Sequence, residues 1–335
     1  MSAQGAVIFG CEGLAVTPEE QAFFAEAQPW GFILFARNVE SPAQLVRLTS
    51  DLRAAVGRDV PVFIDQEGGR VQRMRAPHWR EWLPPLEEVA RAGTSADRAL
   101  FLRYRLIAAE LRAVGIDGNC SPCADVATPH THPVLRNRCL SSDAGEVARL
   151  ARVVAEAHLA GGVLPVLKHI PGHGRASLDS HKELPRVSAL KRELQAVDFA
   201  PFKALSDLPL GMSAHIVFED IAPDGPATTS PTMVRLIREE IGFDGLLMTD
   251  DLSMEALSGS VSERARASLA AGCDMILHCN GKLPEMEAIA AEAGALGGAA
   301  LARAKAAMAA RRAPEPADLE ALLAEHEALL RVPAP

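Results

Sequence analysis

Eight short apolar runs separated by helical stretches predict a single (β/α)8 TIM-type barrel. The runs cover residues 6–9, 31–35, 60–64, 118–126, 163–167, 210–217, 245–249 and 273–277. Strands that are apolar on both faces belong to a parallel sheet covered by helices, since only burial from two sides suits that composition. Eight alternations with no Pro- or Ser-rich linker fit one closed barrel better than a doubly wound open sheet, the alternative architecture. Residues 1–335 are therefore read as one catalytic domain, with residues 283–335 as additional peripheral C-terminal helices.

The connecting segments carry helix signals in order. Ser41 supplies a capping hydroxyl and Pro42 the first helical position, Leu45, Leu48, Leu52 and Val56 keep one apolar stripe, and Gly57 ends it. Ser230 and Pro231 repeat the device. Another helix is expected from Ser142 through Val147, Leu150 and Val154 to the glycine pair Gly161 and Gly162. The Ala-rich stretch 299–310 and the Leu-rich stretch 319–330 read as terminal helices packed outside the barrel.

Composition narrows the function classes. The chain has 335 residues, 48% of them apolar and 23% charged, with a formal charge of -9 spread along its length, so no basic footprint for nucleic acid or an anionic membrane exists. The first nine residues lack a basic region followed by a long apolar one, and no run approaches the roughly 18 to 20 apolar residues that span a bilayer. A cytoplasmic monomer acting on a small molecule is the resulting expectation. The cysteines, Cys11, Cys120, Cys123, Cys139, Cys273 and Cys279, are scattered, which favours reduced, buried thiols over a disulfide framework. Cys120 and Cys123 have redox or zinc spacing but no second pair to complete a zinc set. Gly68 and Gly69 lack the Lys-Ser or Lys-Thr of a phosphate loop, so nucleotide binding is rejected.

Barrel active sites lie at the carboxyl ends of the strands. Asp65 follows the third strand, Arg138 lies in the loop after the fourth, residues 168–181 follow the fifth, His215 ends the sixth and Asp250 the seventh. All would face one mouth. A strand-end carboxylate opposite a loop-borne proton donor suits glycoside hydrolysis. Imidazole can be that donor, because its ordinary pKa of about 6.5 already suits acid and base work, and Asp179 stands two residues from His181 to orient it. On spacing alone, Asp179 as a turn cap and His181 as a solvated loop residue is an equal reading. Strand alternation lets only one of Asp250 and Asp251 point into the mouth, without saying which. His215 is read as a pocket residue, with a buried core role as the alternative. Trp79 and Trp82 are candidates for sugar stacking, with packing as the alternative.

Four segments together resemble glycoside hydrolase family 3: residues 64–73 (IDQEGGRVQR), 168–174 (KHIPGHG), 179–181 (DSH) and 248–254 (MTDDLSM). They most resemble its bacterial β-N-acetylhexosaminidases of cell-wall recycling, in order and spacing, over residues 5–280. The resemblance implies a retaining exo-β-N-acetylglucosaminidase with Asp250 as nucleophile, His181 as acid/base and Asp179 as its partner. It implies sugar binding by Asp65, Arg73, Arg138, Lys168 and His169, and neither cofactor nor metal. The implied substrate is N-acetylglucosaminyl-1,6-anhydro-N-acetylmuramic acid, with or without peptide. Rival readings are a zinc hydrolase using His169, His173, Asp179 and His181, a phosphorylase of the same family, and a sugar sensor on an inactive barrel.

Pro171, Gly172 and Gly174 permit sharp turns, so the 170–181 loop is expected to move on substrate binding and carry His181 toward the glycosidic oxygen. Amide hydrogen exchange across this loop should slow several-fold with a product analogue bound. Equal exchange with and without the analogue would refute the motion.

Overall fold

A computed structural model describes residues 4–178 and 183–331 of the chain. The barrel strands are β1 (Gly5–Phe9), β2 (Pro29–Leu34), β3 (Val62–Ile64), β4 (Gly118–Asn119), β5 (the consecutive runs Leu164–Pro165 and Leu167–Ile170), β6 (Leu210–Ser213), β7 (Leu246–Asp251) and β8 (Met275–His278). Each pairs in parallel with its neighbour, and β8 pairs with β1. The first run of β5 joins β4 and the second joins β6, so the sheet closes. The eight apolar runs of the sequence correspond to these eight strands.

Side chains alternate as a filled barrel requires. Ala6 and Ile8 of β1 belong to the interior cluster with Ile33, Phe63, Leu164, Met212 and Met248, while Val7 and Phe9 join the layer beneath the helices. Gly118 is needed at its position because a Cβ there would strike the ring of Phe63, which fills the interior beside Trp30.

Two sequence expectations shift. The fourth run is a strand only at Gly118–Asn119, with an isolated bridge at Cys123. Pro122 has no N–H to give a ladder, and the Asn119 side chain takes over, accepting from the Gln66 amide and donating to the Gln66 carbonyl, both at 3.0 Å. The helix expected from Ser142 runs Ala144–Ala160, capped by Asp143, whose carboxylate accepts from Glu146 N at 2.8 Å. The helix Pro42–Val56 matches its expectation, capped by Ser41 and ended by Gly57 at φ 67°.

The Ala-rich stretch does not lie outside the barrel. Helix Gly298–Ala310 places Ala304 and Ala307 against the interior cluster. Its Arg303 pairs with Asp244 and Asp274, and Arg311 beyond it pairs with Asp59 and Asp117. These aspartates immediately precede strands, so the helix plugs the amino end and leaves the carboxyl end open. Its run of alanines is the reason: small side chains let a helix approach the barrel floor. Helix Leu319–Arg331 does pack outside, where His326 meets Glu88 at 3.0 Å and the Trp82 ring at 5.5 Å. No helix among the described residues is long and apolar enough to cross a membrane.

His158, fully buried under β4, gives Nδ1–H to the Val154 carbonyl at 2.8 Å and accepts from Asn119 at 2.9 Å through Nε2. Burial holds this imidazole at about 4, against its usual 6.5, so the folded ring stays neutral. Between those values the unfolded chain takes up a proton that the folded ring refuses, and stability falls as pH drops through the window. His173, also held at about 4 by burial, acts in the same direction. Urea unfolding followed from pH 7 to 4 should lose stability, by up to about 3 kcal/mol for His158 alone. The His158→Gln variant should show a shallower pH slope; an unchanged slope would refute the assignment.

Candidate active site

A cavity of about 250 Å³ opens at the carboxyl ends of the strands. Asp65, Arg73, Arg138, Lys168, His169, His173, Asp250 and Asp251 all line it. The described residues that the family resemblance assigns to the site, Asp65, Arg73, Arg138, Lys168, His169 and Asp250, are therefore brought to one mouth. Asp179 and His181 lie outside the described residues.

A charge network holds the floor. Lys168, 1% exposed at the end of β5, reaches Asp65 at 2.9 Å and Glu67 at 2.5 Å. Arg73 pairs with the other oxygen of Asp65 at 2.9 Å, and Arg138 clamps both oxygens of Glu67 at 2.9 and 2.8 Å. Burial alone would raise the Asp65 carboxyl, but Lys168 and Arg73 outweigh it and hold it far below the carboxylate range. Burial likewise works against Glu67, and Arg138 and Lys168 bring it to about 2. Burial would discharge Lys168, yet Asp65 and Glu67 more than compensate and push its ammonium upward. Asp65, Glu67 and Lys168 are thereby held in their charged forms at neutral pH.

Local sequence explains how Arg73 is presented. Gln66–Gly68 and Val71–Gln72 form a hairpin after β3, and the buried Gln66 side chain accepts from Arg73 N at 2.9 Å and Met74 N at 3.1 Å while donating to the Met74 carbonyl at 2.9 Å. The glycines Gly68 and Gly69, at φ 108° and 59°, make the turn.

His169 is oriented from behind. Its Nδ1–H donates to Asp125 at 2.7 Å, and Arg138 approaches its Nε2 at 3.4 Å. The second oxygen of Asp125 accepts from His173 N at 2.6 Å, fixing the turn after β5. Although burial raises the Asp125 carboxyl, His169 leads the groups that return it well below the usual range.

The geometry separates the two adjacent aspartates at the end of β7. Asp251 spends both oxygens on structure: one accepts from Ser253 N at 3.0 Å and Cys279 N at 3.1 Å, the other from the Ser253 hydroxyl at 2.6 Å. Asp250 accepts from Asp251 N at 2.8 Å and stands in the cavity wall. His215 does not line the cavity. It is fully buried, kept neutral by burial, and joins Thr228 at 2.8 Å to the Asp251 carbonyl at 3.1 Å, bracing the strand end that carries Asp250. Trp79 and Trp82 do not line the cavity either. Trp82 is buried near Arg103 and His326, and Trp79 packs on the outer core. The aromatic side of the cavity is Phe35, with the Arg37 and Arg73 guanidinium groups 5.3 and 5.1 Å from its ring centre.

Glu67, Asp125 and Thr228 were not singled out from sequence. Glu67 lies two residues beyond Asp65, and Asp125 stands near the end of an apolar run as Asp65 and Asp250 do. Thr228 carries no sequence signal.

Residues 8–312 match the family described as glycosyl hydrolase family 3, N terminal domain. A Beta-hexosaminidase of Alkalilimnicola ehrlichii is 37% identical over 283 residues, covering 82% of this chain and 81% of that protein. One from Bordetella avium is 35% identical over 287 residues, with the same coverage of 82% and 81%. Among solved structures, NagZ from Neisseria gonorrhoeae in complex with N-trifluoroacetyl-D-glucosamine superposes with a TM-score of 0.84 at 30% identity, covering 98% of this chain and 96% of that one. A glycoside hydrolase family 3 β-N-acetylglucosaminidase from Paenibacillus sp. gives 0.80 at 28% identity; the present chain, 98% covered, spans 62% of its length.

Glu67→Gln keeps an oxygen acceptor but removes the charge that Lys168 and Arg138 share. A loss of about 1.5 to 3 kcal/mol at a charged hydrogen bond implies a KM for β-N-acetylglucosaminides raised roughly tenfold or more. Steady-state kinetics on the folded variant checks this, and an unchanged KM would show that the network does not shape the sugar site.

Proposed function

Because the chain belongs to glycosyl hydrolase family 3 and is a glycosidase, we propose that it removes terminal β-linked N-acetylglucosamine from murein turnover fragments by double displacement. The observation that carries this reading is the convergence of Asp250 with the network of Asp65, Arg73, Arg138, Lys168 and His169 around one sugar-sized cavity. The names of the relatives, Beta-hexosaminidase and β-N-acetylglucosaminidase, support the amino-sugar class.

In this mechanism a terminal N-acetylglucosamine sits in the cavity with its hydroxyl groups shared between the Asp65 carboxylate and the Arg73, Lys168 and Arg138 donors. A carboxylate accepts hydroxyl protons while the cations donate to hydroxyl oxygens, so one sugar orientation satisfies both. Asp250 attacks the anomeric carbon as the glycosidic bond breaks, and His181 gives its proton to the departing oxygen. The product leaves, and neutral His181 takes a proton from water as that water attacks the same carbon, restoring the Asp250 carboxylate and the imidazolium. Net configuration is retained because each displacement inverts the centre. Asp179 serves as the carboxylate that orients the His181 ring.

The expected leaving group is 1,6-anhydro-N-acetylmuramic acid, with or without peptide, and the chain acts as a single catalytic unit, a cytoplasmic monomer. The segment that carries Asp179 and His181 is fastened at both sides by described residues: Ala176 accepts from His132 N at 3.0 Å, and Pro185 accepts from Val217 N at 2.9 Å.

Release of nitrophenol from its β-N-acetylglucosaminide tests this. Asp250→Asn should lower kcat on the order of 10³-fold or more, and His181→Ala roughly 10² to 10⁴-fold. EDTA should leave the wild-type rate unchanged, which the zinc-hydrolase reading does not allow. N-acetylglucosamine, rather than its 1-phosphate, should form when inorganic phosphate is added. Full activity of Asp250→Asn would overturn the nucleophile assignment.

A further inference from the structure

Glu67 does not line the cavity, yet its carboxylate holds two residues that do, Lys168 and Arg138. What holds Glu67 lies behind it, on helix Ala96–Ala113. Arg103, with no exposed surface, donates through Nη2 to the main-chain carbonyls of Glu67 and of Leu83, the latter at 2.8 Å. Tyr104, buried beside it, donates its hydroxyl to the same Glu67 carbonyl at 3.1 Å. A carbonyl oxygen has two lone pairs, and these two donors use both. The arginine stands so close that a Cβ at Gly68 would overlap Nη2, so the hairpin glycine and the helix side chain are matched.

A second tier holds the arginine. Its Nη1 donates to Glu88 at 2.6 Å, and the other oxygen of Glu88 accepts from His326 Nε2 at 3.0 Å. Burial works against the Glu88 carboxylate, and Arg103 leads the groups that offset it and hold it below its ordinary range. His326 belongs to helix Leu319–Arg331, whose Glu325 takes Arg98 of helix Ala96–Ala113 by both oxygens, at 2.7 and 2.6 Å. Replacing a buried ion pair by apolar residues of similar volume is often neutral or stabilising, so stability alone does not account for a cation here. Only a donor can hold a hairpin carbonyl in place.

We propose that Arg103 and Tyr104 are positioning residues for the sugar site: they fix the Glu67 main chain, and so the carboxylate that aims Lys168 and Arg138, while Glu88 and His326 fix the Arg103 fork. The terminal helix thereby enters substrate affinity, although none of its described residues lines the cavity. The role of these residues rests on the amino-sugar reading, which turnover of nitrophenyl β-N-acetylglucosaminide by the wild type tests separately.

Steady-state kinetics on that substrate should give Tyr104→Phe a KM raised about threefold to tenfold with kcat within about twofold, the cost of one hydrogen bond expressed in binding. Combining Tyr104→Phe with Glu67→Gln should raise KM no further than Glu67→Gln alone, because both act through one carboxylate. A merely structural tyrosine would lower the melting temperature in both backgrounds and leave KM alone. His326→Leu should raise KM about threefold or more, and His326→Gln, which keeps a donor to Glu88, should recover most of that loss. A crystal structure without ligand reads the coupling independently of activity. In Arg103→Lys the single ammonium cannot reproduce the fork, and the Glu67 carboxylate should leave its two-bond contact with Arg138; if that variant does not fold, Glu88→Gln carries the comparison. Absent turnover by the wild type would sink the amino-sugar reading alone, and the Glu67 geometry would still decide the positioning. An unmoved Glu67, an unchanged KM in folded Tyr104→Phe or His326→Leu, or additive effects in the double variant would overturn the positioning role.

Discussion

The mouth of the barrel depends on one buried ammonium. Lys168 has almost no contact with solvent, and a charge so placed persists only if it is paired and hydrogen-bonded. Its partners, Asp65 and Glu67, come from the segment after β3, and each is also bound by an arginine: Arg73 from the hairpin and Arg138 from the loop after β4. Two separate stretches of chain, the hairpin segment after β3 and the loop after β4, are thereby fixed relative to β5 by five charged groups. Removing any one takes a partner from another charge of the network, which makes the constellation rigid as well as costly. The three cations and two anions leave one net positive charge on the floor, complementary to the Asp250 carboxylate in the same cavity wall.

Such an arrangement is expensive for folding and useful for binding. Donors and acceptors already in place need not reorganise when a polar ligand enters the cavity, so binding energy is not spent on ordering them. The same logic recurs one layer back. Asp125 holds the His169 ring with one oxygen and the His173 backbone with the other, and Gly174 follows where any Cβ would run into the Val126 carbonyl. His215 and Thr228 brace the end of β7 in turn. The stability that offsets these buried polar groups comes from the rest of the barrel, whose amino end is sealed by Ala304, Ala307 and the Arg303 and Arg311 ion pairs.

The fold was legible because strands buried on both faces leave a signal strong enough to survive every local irregularity. Asp65, Lys168 and Asp250 were legible for a related reason, being polar residues directly after apolar runs. Asp125 satisfies the same rule but was hidden inside a run that Pro122 breaks, and no periodicity reveals where a strand stops pairing. Glu67 was masked by the motif around it, since alternation places it on the same side as Asp65 while only the fold reveals the arginine waiting there. The role of His215 was ambiguous because a strand end can face the mouth or the adjacent loop, and Thr228 decides it. The Ala-rich helix misled for a physical reason as well: a weakly amphipathic run says that a helix is small-sided, not which surface it meets.

Asp250 and Asp251 show where sequence reasoning stops and structure continues. Alternation permits either one to face the mouth, and the two carboxylates are chemically identical. Both line the cavity, and their hydrogen bonds distinguish them. Asp251 is drawn into a closed set of bonds with Ser253 and Cys279 that ties the end of β7 to the residue after β8. That bracing fixes the strand end from which Asp250 projects, so the structural aspartate makes the neighbouring one a positioned group. Pairing a tied carboxylate with one in the cavity wall lets a single strand end supply both the group proposed to react and the anchor that aims it.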